Sequence, residues 1–344
     1  LKGPIWNKIT ERALNAHVMP APQAPSCSAR RHPLSLFHRH TRKSRRSIAL
    51  LLGTGLSLAV APQLHAADLS APAPNAPAKE QILPGKIVYA QLTTPDLDKA
   101  KAFYGSLLGW TFKDVTVSKG RYTQAIVNGR PVAGLVERPN MVAHGDPLWL
   151  PFISVQDVRA AANAAKVWGG HILFKPQNVI GRGDESVISD PQGGLFAALR
   201  SATGDTPDDT TPPQQGEWVW NALLTSKPYE AAGFYQKLFG YQVEAAPDAK
   251  RGGAYLLESQ SITRATINPL PPRLPDGAHA RWMNFIQVDS VGATAQKAAE
   301  LGGKVLVQPH PDRQDTIIAI LADPSGAAFG VMEWHDTATT GDAK

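Results

Sequence analysis

WLPFISVQDVRAAANAAKVWGGHILFKPQNVIGRGDESVISDPQGGLF (residues 149–196) lies without a gap over WMNFIQVDSVGATAQKAAELGGKVLVQPHPDRQDTIIAILADPSGAAF (residues 282–329), at a constant offset of 133. Trp149 meets Trp282, Phe152 meets Phe285, Gly169-Gly170 meets Gly302-Gly303, and Asp190-Pro191-x-Gly193 meets Asp323-Pro324-x-Gly326. The upstream halves match at offset 131, with Phe103-Tyr104 on Phe234-Tyr235 and Leu108-Gly109 on Phe239-Gly240. A period near 130 residues is too long for a solenoid unit, so the chain reads as two tandem copies of one domain.

Each copy holds two blocks, and each block opens with a short apolar strand, continues into a helix and closes with further strands, in the order βαβββ. The opening strands are expected at Ile87 to Thr94, Leu148 to Val155, Trp218 to Thr225 and Arg281 to Val288. After the first of them, Leu97, Ala100, Phe103, Tyr104, Leu107 and Leu108 recur at the spacing of a helix with one buried face, with acids at Asp96 and Asp98 to start it and Gly109 to stop it. Helices over Val158 to Trp168 and Ser290 to Leu301 end alike at paired glycines.

The formal charge of +6 misrepresents the folded part. Residues 1–67 hold ten Lys or Arg and one acid, which leaves 25 basic and 28 acidic residues in the remainder. A mildly acidic body removes the electrostatic case for nucleic-acid binding. The basic head, with Arg39, Arg42, Lys43, Arg45 and Arg46 before the apolar run Ile48 to Val60 and then Leu64-His65-Ala66, has the layout of a signal peptide. Thirteen apolar residues fall short of the roughly 20 that a spanning helix needs. The expectation is export to the periplasm or medium, by the Sec route, with Ser44-Arg45-Arg46 pointing to the twin-arginine route as the alternative, and no stable membrane insertion after cleavage. Cys27 is the only cysteine and precedes the expected cut, so the mature chain has no disulfide and no thiolate ligand. The organisation then reads as signal peptide 1–66, Ala/Pro-rich tether 67–85, first domain 86–200, linker 201–216, second domain 217–335 and tail 336–344.

Four βαβββ blocks paired two by two, the helix motif Asp96-Leu97-x-x-Ala100-x-x-Phe103-Tyr104-x-x-x-Leu108-Gly109, and the Asp-Pro-x-Gly turn resemble the vicinal oxygen chelate superfamily of glyoxalase I, extradiol dioxygenases and bleomycin-resistance proteins. The resemblance covers about Gly85 to Trp334 and implies an α+β fold in which two blocks curl their sheets into a cup. It also implies a divalent metal at the base of the cup, held by His and Glu from the first and closing strands. Counted from the helix start and the turn, those positions fall on Tyr89, Glu137, Leu150 and Ala197 in copy one, and on Trp220, about Leu270, Met283 and Gly330 in copy two. One carboxylate among eight cannot hold a metal against water, so neither metal nor other cofactor is expected. Of the five histidines after residue 67, His144, His279 and His335 fall in connecting or terminal segments and His171 and His310 align with Lys304 and Gln177, which reads as solvated surface.

Strand alternation puts Tyr89, Gln91 and Thr93 with Leu150, Phe152 and Ser154 on the cup face of copy one, and Trp220, Ala222 and Leu224 with Met283, Phe285 and Gln287 on that of copy two. Leu92, Ile153, Val155, Leu223, Ile286 and Val288 face the helices. The ligand-binding set is therefore Tyr89, Gln91, Glu137, Leu150, Phe152, Trp220, Met283 and Phe285, for a small organic molecule. Gly181-Arg182-Gly183 reads as a strand connection, and no nucleophile elbow, phosphate loop or zinc-protease helix occurs, so no catalytic residue is assigned. The expected function is an exported, metal-free, monomeric binding protein. The alternatives are a metal-dependent lyase, isomerase or extradiol-type dioxygenase, and a partner-binding module without a working cup.

Overall fold

The computed structural model describes residues 81–117, 120–139, 146–208, 211–246, 253–270, 279–311 and 316–334. The expected signal peptide, most of the tether and the tail lie outside these residues, as do His144 and His335.

Copy one runs β1 (Ile87–Thr94), α1 (Leu97–Leu108), β2 (Thr111–Val115), β3 (Tyr122–Val127), β4 (Arg130–Glu137), β5 (Leu148–Ser154), α2 (Val158–Val167), β6 (His171–Val179), β7 (Gly183–Ser189) and β8 (Leu195–Ser201). Copy two repeats it as β9 (Trp218–Thr225), α3 (Pro228–Phe239), β10 (Gln242–Ala245), β11 (Tyr255–Ser259), β12 (Ile262–Pro269), β13 (Arg281–Gln287), α4 (Val291–Glu300), β14 (Lys304–Pro311), β15 (Ile317–Ala322) and β16 (Ala328–Met332). The expected βαβββ order holds in all four blocks. Each copy makes one eight-stranded sheet, β2-β3-β4-β1-β5-β8-β7-β6 and β10-β11-β12-β9-β13-β16-β15-β14. The two opening strands of a copy pair antiparallel at its centre, and each closing strand pairs parallel with the opening strand of its own block.

Local chemistry sets the helix starts. Asp96, Asp157 and Ser290 cap α1, α2 and α4 through their side chains, while α3 opens on Pro228. The carboxylates that end two closing strands add a further bond, Glu137 accepting from Leu97 N–H at 3.2 Å and Glu333 from Val291 N–H at 2.6 Å. In these two blocks the helix start is thereby tied to the end of the strand that closes the block.

The helix-facing sides of the two sheets bury against one another. One core joins Leu92, Phe103, Tyr104, Leu107 and Trp149 of copy one to Ile286, Val288, Val291 and Phe329 of copy two. Its counterpart joins Ile153, Val155, Val158 and Phe196 to Leu223, Phe234, Tyr235 and Trp282. The six residues assigned to the helix-facing side all lie in these two cores.

Two relays tie the copies together. Trp149 Nε1–H donates to Tyr104 Oη at 2.9 Å, and Tyr104 donates to Asp323 Oδ2 of the other copy at 3.2 Å. Trp282 donates to Tyr235 at 3.0 Å, and Tyr235 to Asp190 Oδ2 at 3.0 Å. The Asp of the Asp-Pro-x-Gly turn thus has two tasks. Its Oδ1 takes turn N–H groups, Gln192 and Gly194 for Asp190, Ser325 and Ala327 for Asp323. Its Oδ2 reaches across to the neighbouring copy. Burial pushes the Asp190 carboxyl up, and these donors oppose that rise.

The segments between domains are packed. Leu83 is buried and its N–H donates to Asp205 Oδ2 at 2.6 Å, while Asp205 itself is 1% exposed. The end of the tether and this part of the linker are therefore packed together and not solvated spacers.

Candidate functional site

The cups are the concave sides of the two sheets, and their floors are built differently. In copy one Tyr89, Leu150 and Phe152 cluster with Phe174, Val187, Ala197 and Leu199. A bulge in β1 at Val88 adds that residue to the same side. Into this floor reaches Arg182, 0% exposed, from the β6–β7 turn. Its guanidinium pairs with Glu185 at 3.2 Å, also 0% exposed, and donates to Gln91 Oε1 at 2.9 Å. It stands 5.0 Å from the Phe152 ring centre and 5.5 Å from that of Tyr89. Tyr89 and Tyr122 share a short hydroxyl hydrogen bond beside it. Burial drives the Glu185 carboxyl up, and the Arg182 charge only partly offsets this.

Backbone geometry makes this placement possible. Gly183 has φ +124°, and a Cβ there would lie 2.0 Å from Arg200 O, so only glycine lets the turn close against β8. Arg182 N–H bonds to Val179 O at 2.9 Å and Arg182 O accepts from Ala202 N–H at 2.8 Å, which fixes the direction of the side chain. Gly134 is the second such position. A Cβ on it would fall 1.9 Å from Tyr89 Oη and 2.2 Å from Tyr122 Oη, so β4 leaves room there for the two phenols.

In copy two, Trp220, Met283, Phe285, Val219, Ala222 and Met332 form the floor, and Leu224, Ile318, Ile320, Ala328 and Trp334 pack on it half-buried. Trp220 Nε1–H donates to Thr266 Oγ1 at 3.2 Å. Gln287 uses its Oε1 to accept Trp334 N–H at 2.8 Å.

Strand pairing corrects one register. Phe152 lies opposite Ala197 and Phe285 opposite Gly330, as counted, but the matching partners in the first blocks are Gly134 opposite Gln91 and Thr266 opposite Ala222. Glu137 lies three residues beyond Gly134 and spends its carboxylate on Leu97 N–H and on Arg121 at 3.1 Å. It is a helix anchor outside the cup, and Leu270 likewise lies past the end of β12. The eight positions where the fold could present metal donors are Tyr89, Gly134, Leu150 and Ala197, and Trp220, Thr266, Met283 and Gly330. Neither four contains an imidazole or a carboxylate, so they do not fit a divalent metal. Among the described residues no three His, Cys, Asp or Glu side chains converge on one point.

The sequence profile of the Glyoxalase/Bleomycin resistance protein/Dioxygenase superfamily matches residues 86–197 and again 219–331. The chain belongs to this superfamily. A Mycobacterium tuberculosis (strain CDC 1551 / Oshkosh) protein named "Putative glyoxylase CFP32" is 32% identical over 276 residues, covering 75% of this chain and 98% of its own length. The anthracycline biosynthesis protein DnrV of Streptomyces peucetius is 28% identical over 270 residues, 74% of this chain and 94% of its own. Among solved structures, the 2,3-dioxygenase LapB from Pseudomonas sp. KL28 superposes with a TM-score of 0.51 at 13% identity, over 77% of this chain and 97% of LapB. That likeness establishes the shared glyoxalase-superfamily fold.

A second polar cluster was missed in the sequence because its parts are far apart. The linker carboxylate Asp208 sits between Lys86 of copy one at 2.9 Å and Arg264 of copy two, which grips both its oxygens at 2.6 and 3.0 Å. Lys86 Nζ also donates to Thr206 O and Pro207 O. Burial would raise the Asp208 carboxyl, but hydrogen bonds from Arg264 and Lys86 outweigh it and hold it below its ordinary range. A carboxyl whose folded pKa is depressed contributes stability above the unfolded value, about 3.9, and loses it as pH falls through the folded value. The melting-temperature advantage of the unaltered chain over D208N should therefore stay level from pH 7 to about 4.5 and close below about 3.9. Thermal scans across that range check it, and an advantage that persists at pH 2.5 would assign the contacts no electrostatic share.

Proposed function

We propose that the chain is an exported, metal-independent binding member of the glyoxalase superfamily that takes a small, largely aromatic molecule in the cup of its second copy. The observation that carries this reading is the contrast between the floors. Copy one is filled by its own Arg182–Glu185 pair, whereas copy two has an apolar floor bearing half-buried Leu224, Ile318, Ile320 and Trp334. Flat apolar surface with one or two polar groups suits an aromatic guest, which gains from ring contact and area burial. DnrV, named for anthracycline biosynthesis, is a relative for which a polycyclic aromatic guest would be in keeping. Export rests on the basic cluster followed by the apolar run Ile48 to Val60.

The test uses the full chain purified without chelator or affinity-tag metal, with elemental analysis first and then a titration with 1-hydroxyanthraquinone followed by tryptophan fluorescence. Substoichiometric metal, together with quenching that M283W abolishes by filling the cup, is the expected result. One divalent metal per chain with chelator-sensitive turnover of a catechol or a 2-oxoaldehyde conjugate overturns it in favour of a lyase, isomerase or dioxygenase. Quenching that M283W leaves unchanged removes the cup as the site.

A further inference from the structure

Between the two copies, bordering the cup floors at Val88, Val219 and Trp220, lies a cavity of about 290 Å³ whose lining is pseudo-symmetric. Lys86, Ile87 and Val88 at the start of β1 face their repeat counterparts Glu217, Trp218 and Val219 at the start of β9, and Thr206, Pro207, Asp208, Thr211 and Pro213 of the linker form a further wall. Its charged end is the cradle of Lys86 and Arg264, and the occupant of that cradle is the linker's own Asp208. Arg264 is not a surface cation. Its side chain is 4% exposed and is held from behind by Ser259 Oγ at 3.0 Å and Gln260 Oε1 at 2.8 Å, which aims its fork at the carboxylate.

We infer that this cavity is a second binding site, for a small aromatic carboxylate, and that Asp208 is a tethered stand-in for the ligand's carboxylate. A planar guanidinium engaging both carboxylate oxygens, with an ammonium alongside, recognises the carboxylate group. Trp218, Ile87, Val88 and Val132 offer apolar and aromatic wall for a body of one or two rings. The volume stands at the small end of ligand cavities, which excludes larger guests. Exchanging Asp208 for a free carboxylate trades one ion pair for another of the same kind, so the area buried by the ring system decides the balance. The tether makes Asp208 an intramolecular competitor, and the apparent affinity for a free acid falls with the fraction of time the cradle is vacant. The cavity shares Val219 and Trp220 with the edge of the copy-two floor, but the carboxylate cradle of Lys86 and Arg264 is no part of the proposed cup.

The experiment is isothermal titration of the full chain and of D208N with 2-naphthoate, using methyl 2-naphthoate as the neutral control. D208N should bind 2-naphthoate at least tenfold more tightly than the unaltered chain, R264K in the D208N background should lose that gain, and the ester should show no difference. M283W, which blocks the cup, should leave 2-naphthoate binding intact, so that failure of one site is distinguishable from failure of the other. Equal binding by D208N and the unaltered chain, no binding by either, or a gain that survives R264K overturns the proposal. Should D208N not fold, the unaltered chain decides: saturating 2-naphthoate must quench emission that W218F removes, and an unchanged quench in W218F counts against the site.

Discussion

R182M is expected to destabilise the chain by about 3–5 kcal/mol, because it leaves Glu185 as an uncompensated charge in a dry floor. At the size of these domains that lowers the melting temperature by roughly 10 °C. Among the described residues Glu185 has no second cation, since its Oε2 bonds Arg182 and its Oε1 has no hydrogen-bond partner. The loss should depend on pH in a definite sense. Without the guanidinium, the folded-state pKa of Glu185 rises further above its unfolded value, so the folded form binds the extra proton between those two values. Stability of R182M then falls as pH rises through that window and recovers on acidification, and the gap to the unaltered chain should shrink between pH 7 and pH 5. The double variant R182M/E185M replaces the pair by apolar groups of similar volume and should return to within about 1 kcal/mol of the unaltered chain or exceed it. Denaturant unfolding of the three proteins at two pH values decides. A single variant as stable as the parent would mean that Arg182 is not enclosed, and the argument that copy one has a filled cup would go with it.

That a cation fills this cup was only partly legible in the sequence. The repeat gave the copies, the blocks, the helices and which side of each opening strand meets the helices, since a periodicity of two or 3.6 residues survives any detail of packing. It did not give the occupant of the cup. An arginine between two glycines in a hairpin turn reads as solvated, and its burial depends on β8 passing Gly183 closely, which only the folded backbone shows. A weaker signal was present at Glu185, which shares a strand face with the buried Val187 while Asp184 points the other way. Alternation alone places an acid in the floor, and a buried acid calls for a cation nearby. Glu137 was misplaced for the opposite reason. Its position was counted along the chain from a motif, whereas the pairing of Gln91 with Gly134 sets the register of β4. The contact of Lys86 and Arg264 with a linker aspartate joins residues 122 and 56 positions apart, and no periodic pattern encodes such a meeting.

Trp282→Ala should cost about 3–5 kcal/mol, the range for emptying a buried aromatic site. Trp282 is 5% exposed, stands edge-on to Tyr235 at 5.3 Å between ring centres, and belongs to the core that joins the copies. Its Nε1–H holds the Tyr235 hydroxyl, which in turn serves the buried Asp190 carboxylate, so the substitution empties volume and loosens a charged hydrogen bond together. Trp282→Phe separates the two effects, since it keeps most of the ring and loses only the donor, and about 1 kcal/mol is expected for that step. Tyr235→Phe removes a hydrogen bond to a charged group and should cost about 1.5–3 kcal/mol. If the relay acts as a unit, Trp282→Phe and Tyr235→Phe will not add, because once the tyrosine hydroxyl is gone the indole N–H has nothing left to position. Urea unfolding of the singles and the double measures this coupling. Strict additivity would reduce this relay to independent contacts.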